Sequence, residues 1–379
     1  MNKDILNIVV TGGPCGGKTT ALDELTKQLR SYGYTVFLVN EAATELINSG
    51  IKPFGDNKLD NKDFQSLILE TQLAKEQIRK KASLMCSNNK VAILYDRGIL
   101  DGRAYIDDQT FNELLNKNHL SETDVLTRYD LIIHLVTAAK GKEEFYTLLN
   151  NSARTETIEE ARYQDTKAME SWRNHPNLRI VDNDTLFDEK IKKVKNLIRA
   201  FIGEDEVITQ ERYLININNI DFNAFNHSMV KEDIEEFVLS YDNDEMELFS
   251  KSTINNSNYY TCSKKKKELN AKLCRTITEE EYKDFKNKVQ GRILHKIRYN
   301  FIDENERFRL DIFEINNKSF AILERDVVNP KRKLPSFIKG AINITNNRDY
   351  DDDSIYIDTI ISEIYQKRES KGEQNAKLL

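Results

Sequence analysis

Cysteine is scarce in this chain of 379 residues: four occur, Cys15, Cys86, Cys262 and Cys274, and no two form a C-x-x-C pair. That spacing suggests neither a zinc site nor a disulfide framework. Reduced thiols in a cytoplasmic protein are the expectation. Long apolar runs are missing too, and none approaches the ~18 residues that a membrane span needs. The first such run, residues 5–10, is short and leads into a glycine turn, so no secretory signal is expected. An excess of positive charge is also lacking. The net charge of −6 argues against a basic nucleic-acid binder, while leaving room for a local basic patch. Hydrophobic residues reach only 39%, against about 45–50% in ordinary soluble chains, but still enough for real cores.

What is present has a clear order. The length predicts two domains. Over the first two hundred residues, continuous apolar runs alternate with helical spacing. Strands are predicted at 5–10, 34–41, 91–96, 131–136 and 178–183, with helices after the first glycines and over 62–86, 156–173 and 186–202. Apolar runs without alternation fit strands buried on both faces. The fold class is therefore α/β, a doubly wound parallel sheet. Near Gly203 the pattern changes. "ERYLINI", "NYYTCS", "LHKIRYNF", "FRLDIFEI", "SFAILERD" and "SIYIDTI" alternate with period two and short connections, as in an antiparallel sheet or barrel. The boundaries read 1–204, 205–366, and a polar tail, 367–379, expected to be disordered.

"NIVVTGGPCGGKTT" (7–20) fits G-x-x-x-x-G-K-[ST] at every fixed position, between a strand and a helix. Gly12, Gly13, Pro14, Cys15, Gly16 and Gly17 form a loop whose N–H groups can turn toward phosphate oxygens. The helix opening at Lys18, Thr19 and Thr20 adds its positive end. Lys18 is expected to reach the β- and γ-phosphates of ATP or GTP, and Thr19 to ligate Mg²⁺. Cys15 reads as a small loop residue, with a redox-sensing thiol as the lesser alternative.

Whether the phosphate is transferred or only sensed depends on other residues. Asp96 and Arg97 end the third strand, at the edge where an open α/β sheet binds ligands. Asp96 could hold Mg²⁺ through water or accept a proton from an attacking hydroxyl. Asp101 follows in a turn rich in Asp and Gly. Glu41 ends the second strand, either as an acceptor contact or as an acid favoured by a helix dipole. Residues 138–162 carry Lys140, Lys142, Arg154 and Arg162, placed where small kinases of this loop type put a lid. Arginines there would stabilise a transferring phosphoryl group. Thr157 and Glu160 form a candidate capping box. "NKLD" (57–60) spells a guanine-reading motif but stands too early in the strand order, and is set aside as a chance match.

Residues 5–200 resemble the P-loop ATPase domain shared by bacterial ribosylnicotinamide kinases and the animal TRPL translocation-defect protein. The resemblance rests on "TGGPCGGKTT", "YDRGILDG", "HLVTAAKGKEEFYTLLNNSARTETIEEAR" and "WRNHPNLRIVDN", the longer segments looking closer to the translocation-defect branch. Residues 205–362 are similar in order to the CYTH, or triphosphate-tunnel, domain, through "ERYLI", "CRTITEEEY", "LHKIRYNF", "RLDIF", "AILERD", "LPSFI" and "NITNNRDY". This implies an antiparallel barrel of eight strands whose inward residues hold phosphate chains and metal. Lys296, Arg298, Asp311, Glu324 and Asp326 match such positions. The family's E-x-E-x-K opening is here "ITQER" (208–212), and its arginine-rich second strand is "DEMELFSKS" (244–252), without arginine. Two-metal hydrolysis by the barrel is therefore not expected.

Two functions of different class follow. One is a Mg²⁺-nucleotide kinase or NTPase, in which Lys18, Asp96 and Arg154 act on the γ-phosphate. Glu41, Arg97, Asp101 and Arg162 would meet a nucleoside-like acceptor, and the barrel would bind a phosphorylated ligand through Lys296 and Arg298. The other, implied by the translocation-defect resemblance, is a GTP-dependent regulator that binds phosphoinositides at the membrane periphery in membrane-protein trafficking. RNA-end repair is a weaker third reading, opposed by the acidic net charge.

Overall fold

A computed structural model describes residues 3–56, 58–146, 157–204, 210–225, 229–242, 245–266, 272–289, 293–315, 318–329 and 333–345. The chain divides into two compact units. One comprises Met1–Glu206 with Ile302–Arg307 and Val328–Arg332. The other comprises Val207–Phe301, Phe308–Val327 and Lys333–Leu379.

The first unit carries strands β1 (Asp4–Thr11), β2 (Thr35–Val39), β3 (Lys90–Asp96), β4 (Leu131–Leu135) and β5 (Leu178–Val181). They form one parallel sheet in the order β2-β3-β1-β4-β5. Residues 8–10 of β1, 91–94 of β3 and 131–133 of β4 are almost fully buried, because helices cover both faces of a parallel sheet. The helices are α1 (Lys18–Ser31), α2 (Ala42–Asn48), α3 (Asn61–Met85), α4 (Asp108–Lys117), α5 (Glu122–Leu126), α6 (Ile158–Ser171) and α7 (Phe187–Phe201). Asp60 caps α3 by accepting from Asp63 N, so the last residue of "NKLD" serves as a helix cap. The Thr157–Glu160 capping box opens α6 as its spacing predicts. Tyr95, Tyr129 and Trp172 stack edge to face beneath the sheet's ligand edge, with centroids 5.2 and 5.5 Å apart.

The second unit is antiparallel. Its strands are β6 (Gln210–Ile215), β7 (Val230–Asp242), β8 (Glu245–Ile254), β9 (Ser257–Lys266), β10 (Lys272–Ile277), β11 (Leu294–Asp303), β12 (Glu306–Ile315), β13 (Lys318–Asp326) and β14 (Ile342–Asn343), with α8 (Glu279–Lys286) between β10 and β11. The order is β10-β9-β8-β7-β11-β12-β13-β6-β14. Among the described residues this gives nine strands, where the resemblance implies eight. β7, β8, β10 and β14 are not among the alternating runs of the sequence. "SIYIDTI" and the tail lie outside the described residues. Tyr282 of α8 packs against Phe237 and Tyr260 and closes one apolar cluster.

Candidate functional site

The turn between β1 and α1 needs its glycines. Gly12 has φ 137°, and a Cβ there would lie 2.0 Å from the Leu135 carbonyl oxygen. Gly17 has φ 92° and lies against the Phe187 ring. Cys15 also takes a left-handed conformation, φ 55°, which is uncommon for a residue with a side chain. Lys18 Nζ curls over the loop and donates to the carbonyls of Gly12 and Gly13, 3.0 Å each. Gly12→Ala should force the loop away from β4. Nucleotide affinity is expected to fall at least about tenfold, or ~1.4 kcal/mol, measured by calorimetry.

Beside the loop, at the carboxyl ends of β2 and β3, the sheet delivers Glu41, Asp96 and Arg97. Asp96 is in register with Val10. Its Oδ1 is buried with no hydrogen-bond partner. Burial pushes its carboxyl above the usual range, with Lys18 pulling the other way. Arg97 holds a left-handed backbone, φ 70°, while its N–H pairs with the Val10 carbonyl. Its guanidinium donates to Glu41 and, at 3.2 Å, to the Gly12 carbonyl. Glu41 stands at the start of α2 without capping it. Burial would raise its carboxyl, but Arg97 and then Lys18 outweigh that and hold it at about 2. Glu41 thus pairs with Arg97 at the crevice.

Lys18, Thr19, Glu41, Asp96 and Arg97 line a single cavity of about 1790 Å³. Beyond Asp96 it runs between Phe64, Gln65, Tyr105 and Phe111. On the other side its rim is set by Phe145, Tyr163, Leu186 and Phe187, all exposed. No sequence pattern marks that rim, since its residues come from three separate segments.

Two other candidate residues, Asp101 and Arg162, are held by contacts within the protein. Asp101 is 2% exposed, and its oxygens accept from Thr11 Oγ1 (2.6 Å), Gly98 N (2.7 Å) and Trp172 Nε1 (3.1 Å). It pins the turn after β3 and has little left for a substrate. Arg162 on α6 donates to the Ala139 carbonyl and to Glu143, tying the helix to the segment after β4. Arg154 lies outside the described residues.

The sequence reading also missed Asp165. It sits on the buried side of α6 in line with Ala161 and Ala168, and a carboxylate on an apolar helix face was the available signal. His134 of β4, fully buried against it, was missed as well.

In the second unit, one face of the sheet gathers buried charge. Lys296 meets Glu236 (2.6 Å) and Asp311 (3.0 Å), and Arg298 grips Asp311 with two nitrogens. Arg309 pairs with Asp326, and Arg212 with Glu324. Glu232 accepts from Tyr259 and Asn300. The residues proposed for phosphate, Lys296 and Arg298, and those proposed for metal, Glu324 and Asp326, thus contact one another's kind. No group of three His, Cys, Asp or Glu residues suited to a metal occurs among the described residues.

The strand order, the loop and the cavity define a nucleotide-binding unit of P-loop type. Residues 7–190, just under half of the chain, match the family model described as AAA domain. No curated protein matches the chain. Among solved structures, the inorganic triphosphatase NE1496 aligns at 13% identity and TM-score 0.29, over 40% of this chain and 94% of its own. A second structure, described as the hypothetical protein NE1496, aligns at 13% identity and TM-score 0.28, over 40% and 97%. Scores at this level carry no weight for function. No helix among the described residues is long and apolar enough to cross a membrane.

Proposed function

We propose that the first unit binds a Mg²⁺-nucleotide, ATP or GTP, and transfers its γ-phosphoryl group to an acceptor held in the same cavity. The observation that carries this is the buried, unpartnered Oδ1 of Asp96 on the wall shared with Lys18. A buried carboxylate oxygen left unpaired costs free energy unless a proton, metal or ligand completes it. Cavity size favours transfer over sensing. About 1790 Å³ exceeds the roughly 300–1,000 Å³ of a pocket for one small ligand, leaving space for donor and acceptor together.

The residues present fit Mg²⁺, with the Thr19 hydroxyl offering a hard oxygen donor and the Asp96 carboxylate one that would act through a bound water. When bound, the ion would neutralise phosphate charge. The loop N–H groups and Lys18 hold the β- and γ-phosphates. Asp96 orients the acceptor hydroxyl or takes its proton, and its raised pKa brings it closer to that task. The Glu41–Arg97 pair fixes the acceptor side. Arg154 is assigned the transition-state role expected of the lid, and Arg162 braces the segment after β4. Aromatic and amide walls at Phe64, Gln65 and Phe111 suit a nucleoside-like hydroxyl compound.

The test is turnover of ATP and of GTP, alone and with a nucleoside panel. Stimulation by one nucleoside class supports the reading, and turnover indifferent to every acceptor contradicts it.

A second reading has one observation behind it, the buried cations of the second unit. A phosphoinositide headgroup bound there would have to displace Glu236, Asp311 and Asp326 from Lys296, Arg298 and Arg309. A metal centre at Glu324 and Asp326 does not fit, because both carboxylates already face arginines. Liposome flotation with and without GTP tests this reading. Phosphoinositide-dependent flotation would support it, and its absence under both conditions would remove it.

A further inference from the structure

We infer that Asp165 is a positioning residue that holds the phosphate loop in its binding shape and couples that loop to helix α6. The inference rests on the nucleotide-binding reading above.

Asp165 is fully buried; burial alone would raise its carboxyl, and His134, then Lys140, outweigh burial and hold it well below the usual range. Its Oδ1 collects three contacts. The N–H of Gly13 donates at 2.9 Å and that of Thr137 at 3.1 Å, and His134 Nε2 lies at 3.1 Å. Its Oδ2 faces Lys140 Nζ at 2.9 Å. One carboxylate thus joins the phosphate loop, β4, the segment after β4, and α6.

The fit at the loop is close. A Cβ on Gly13 would lie 2.8 Å from Asp165 Cβ and 2.9 Å from its Oδ1. Thr137 strengthens the link, since its hydroxyl donates to the Pro14 carbonyl. Helix α6 in turn lines the nucleotide cavity with Glu159, Glu160, Tyr163 and Gln164. A shift of α6 therefore moves the acceptor of the Gly13 N–H, and a loop fixed around phosphate fixes α6. Asp165 never needs to touch the nucleotide. It takes up a loop N–H whose direction decides where the neighbouring N–H groups point.

Asp165→Asn keeps the volume and one acceptor oxygen but removes the charge that His134 and Lys140 face. Asp130→Asn serves as a control. Asp130 accepts from the Asn7 N–H at 2.7 Å, ahead of the strand-end site, in the half of β1 remote from the loop. The readouts are Kd for Mg-ATP and Mg-GTP by calorimetry, kcat and KM, and the melting temperature. In the folded Asp165→Asn protein, kcat/KM should fall at least about tenfold and Kd should rise, since small misplacements of positioning groups are costly. Asp130→Asn should lower the melting temperature with nucleotide Kd unchanged. If Asp165→Asn does not fold, Asp165→Glu carries the test: it keeps the charge, moves the carboxylate by a methylene, and should change Kd in the same direction. A folded Asp165 variant that binds and turns over nucleotide like the wild type overturns the inference. A wild type that binds neither nucleotide instead overturns the reading beneath it.

Discussion

Lys18→Ala is expected to lower turnover of the nucleotide by about 10²–10³, the loss typical of removing one preorganised charge at a developing anion. Lys18 opens α1, where the helix end already favours phosphate. It also acts on both carboxylates of the crevice, holding Glu41 down and pulling against the burial that raises Asp96. Its removal should therefore raise both carboxyls as well as weaken phosphate binding. The acid limb of the pH–rate profile should move to higher pH in the variant, because Asp96 then protonates earlier. Stability should change little, since Lys18 Nζ donates to the loop carbonyls of Gly12 and Gly13 at the cavity. Steady-state kinetics across pH checks this. Unchanged turnover would mean that the loop is not a working phosphate site.

Arg298→Met is expected to destabilise the second unit by about 3–5 kcal/mol at neutral pH, the usual cost of breaking a buried ion pair, because Asp311 then keeps only Lys296, which it shares with Glu236. Asp311 is 3% exposed, and burial alone would raise its carboxyl. Arg298 first, and then Lys296, hold it well below the usual range. A depressed carboxylate contributes stability above its unfolded pKa of about 3.9 and loses it as pH falls through the folded value. The difference between Arg298→Met and wild type should therefore be largest near neutrality and shrink below about pH 4, where Asp311 of the variant is protonated. Urea unfolding at several pH values measures it. A difference that is small, or that grows toward acid, would show that the network does not hold charge as described.

The first unit was readable because its strands are buried on both faces. Runs such as "VAILYD" need no partner to be recognised, and the loop glycines are forced by local backbone geometry at Gly12 and Gly17. The Thr157–Glu160 box was equally local. Strand β7 was not readable. Its inward positions include Glu232 and Glu236, whose burial makes sense only with Tyr259, Asn300, Ser250 and Lys296 supplied from β8, β9 and β11. Hydrophobic alternation cannot show a strand whose inner face is charged. The Glu41–Arg97 pair is invisible in the sequence, because α2, α3 and β3 all lie between the two residues. Asp101 reads as a substrate contact because it follows Asp96 closely, in a turn rich in Asp and Gly. Thr11 and Trp172, distant in sequence, close over it. Asp165 was hidden for the same reason, as its four partners come from the loop, β4 and the segment after it.

The central claim is that one cavity holds donor and acceptor side by side and that Asp96 serves the acceptor. The most direct measurement follows the γ-phosphate of labelled ATP and GTP supplied with a nucleoside panel, for wild type and Asp96→Asn. The account predicts label on one nucleoside class with wild type, and loss of that product with Asp96→Asn while nucleotide binding persists. Label appearing only as inorganic phosphate in both proteins, whatever acceptor is present, would contradict it.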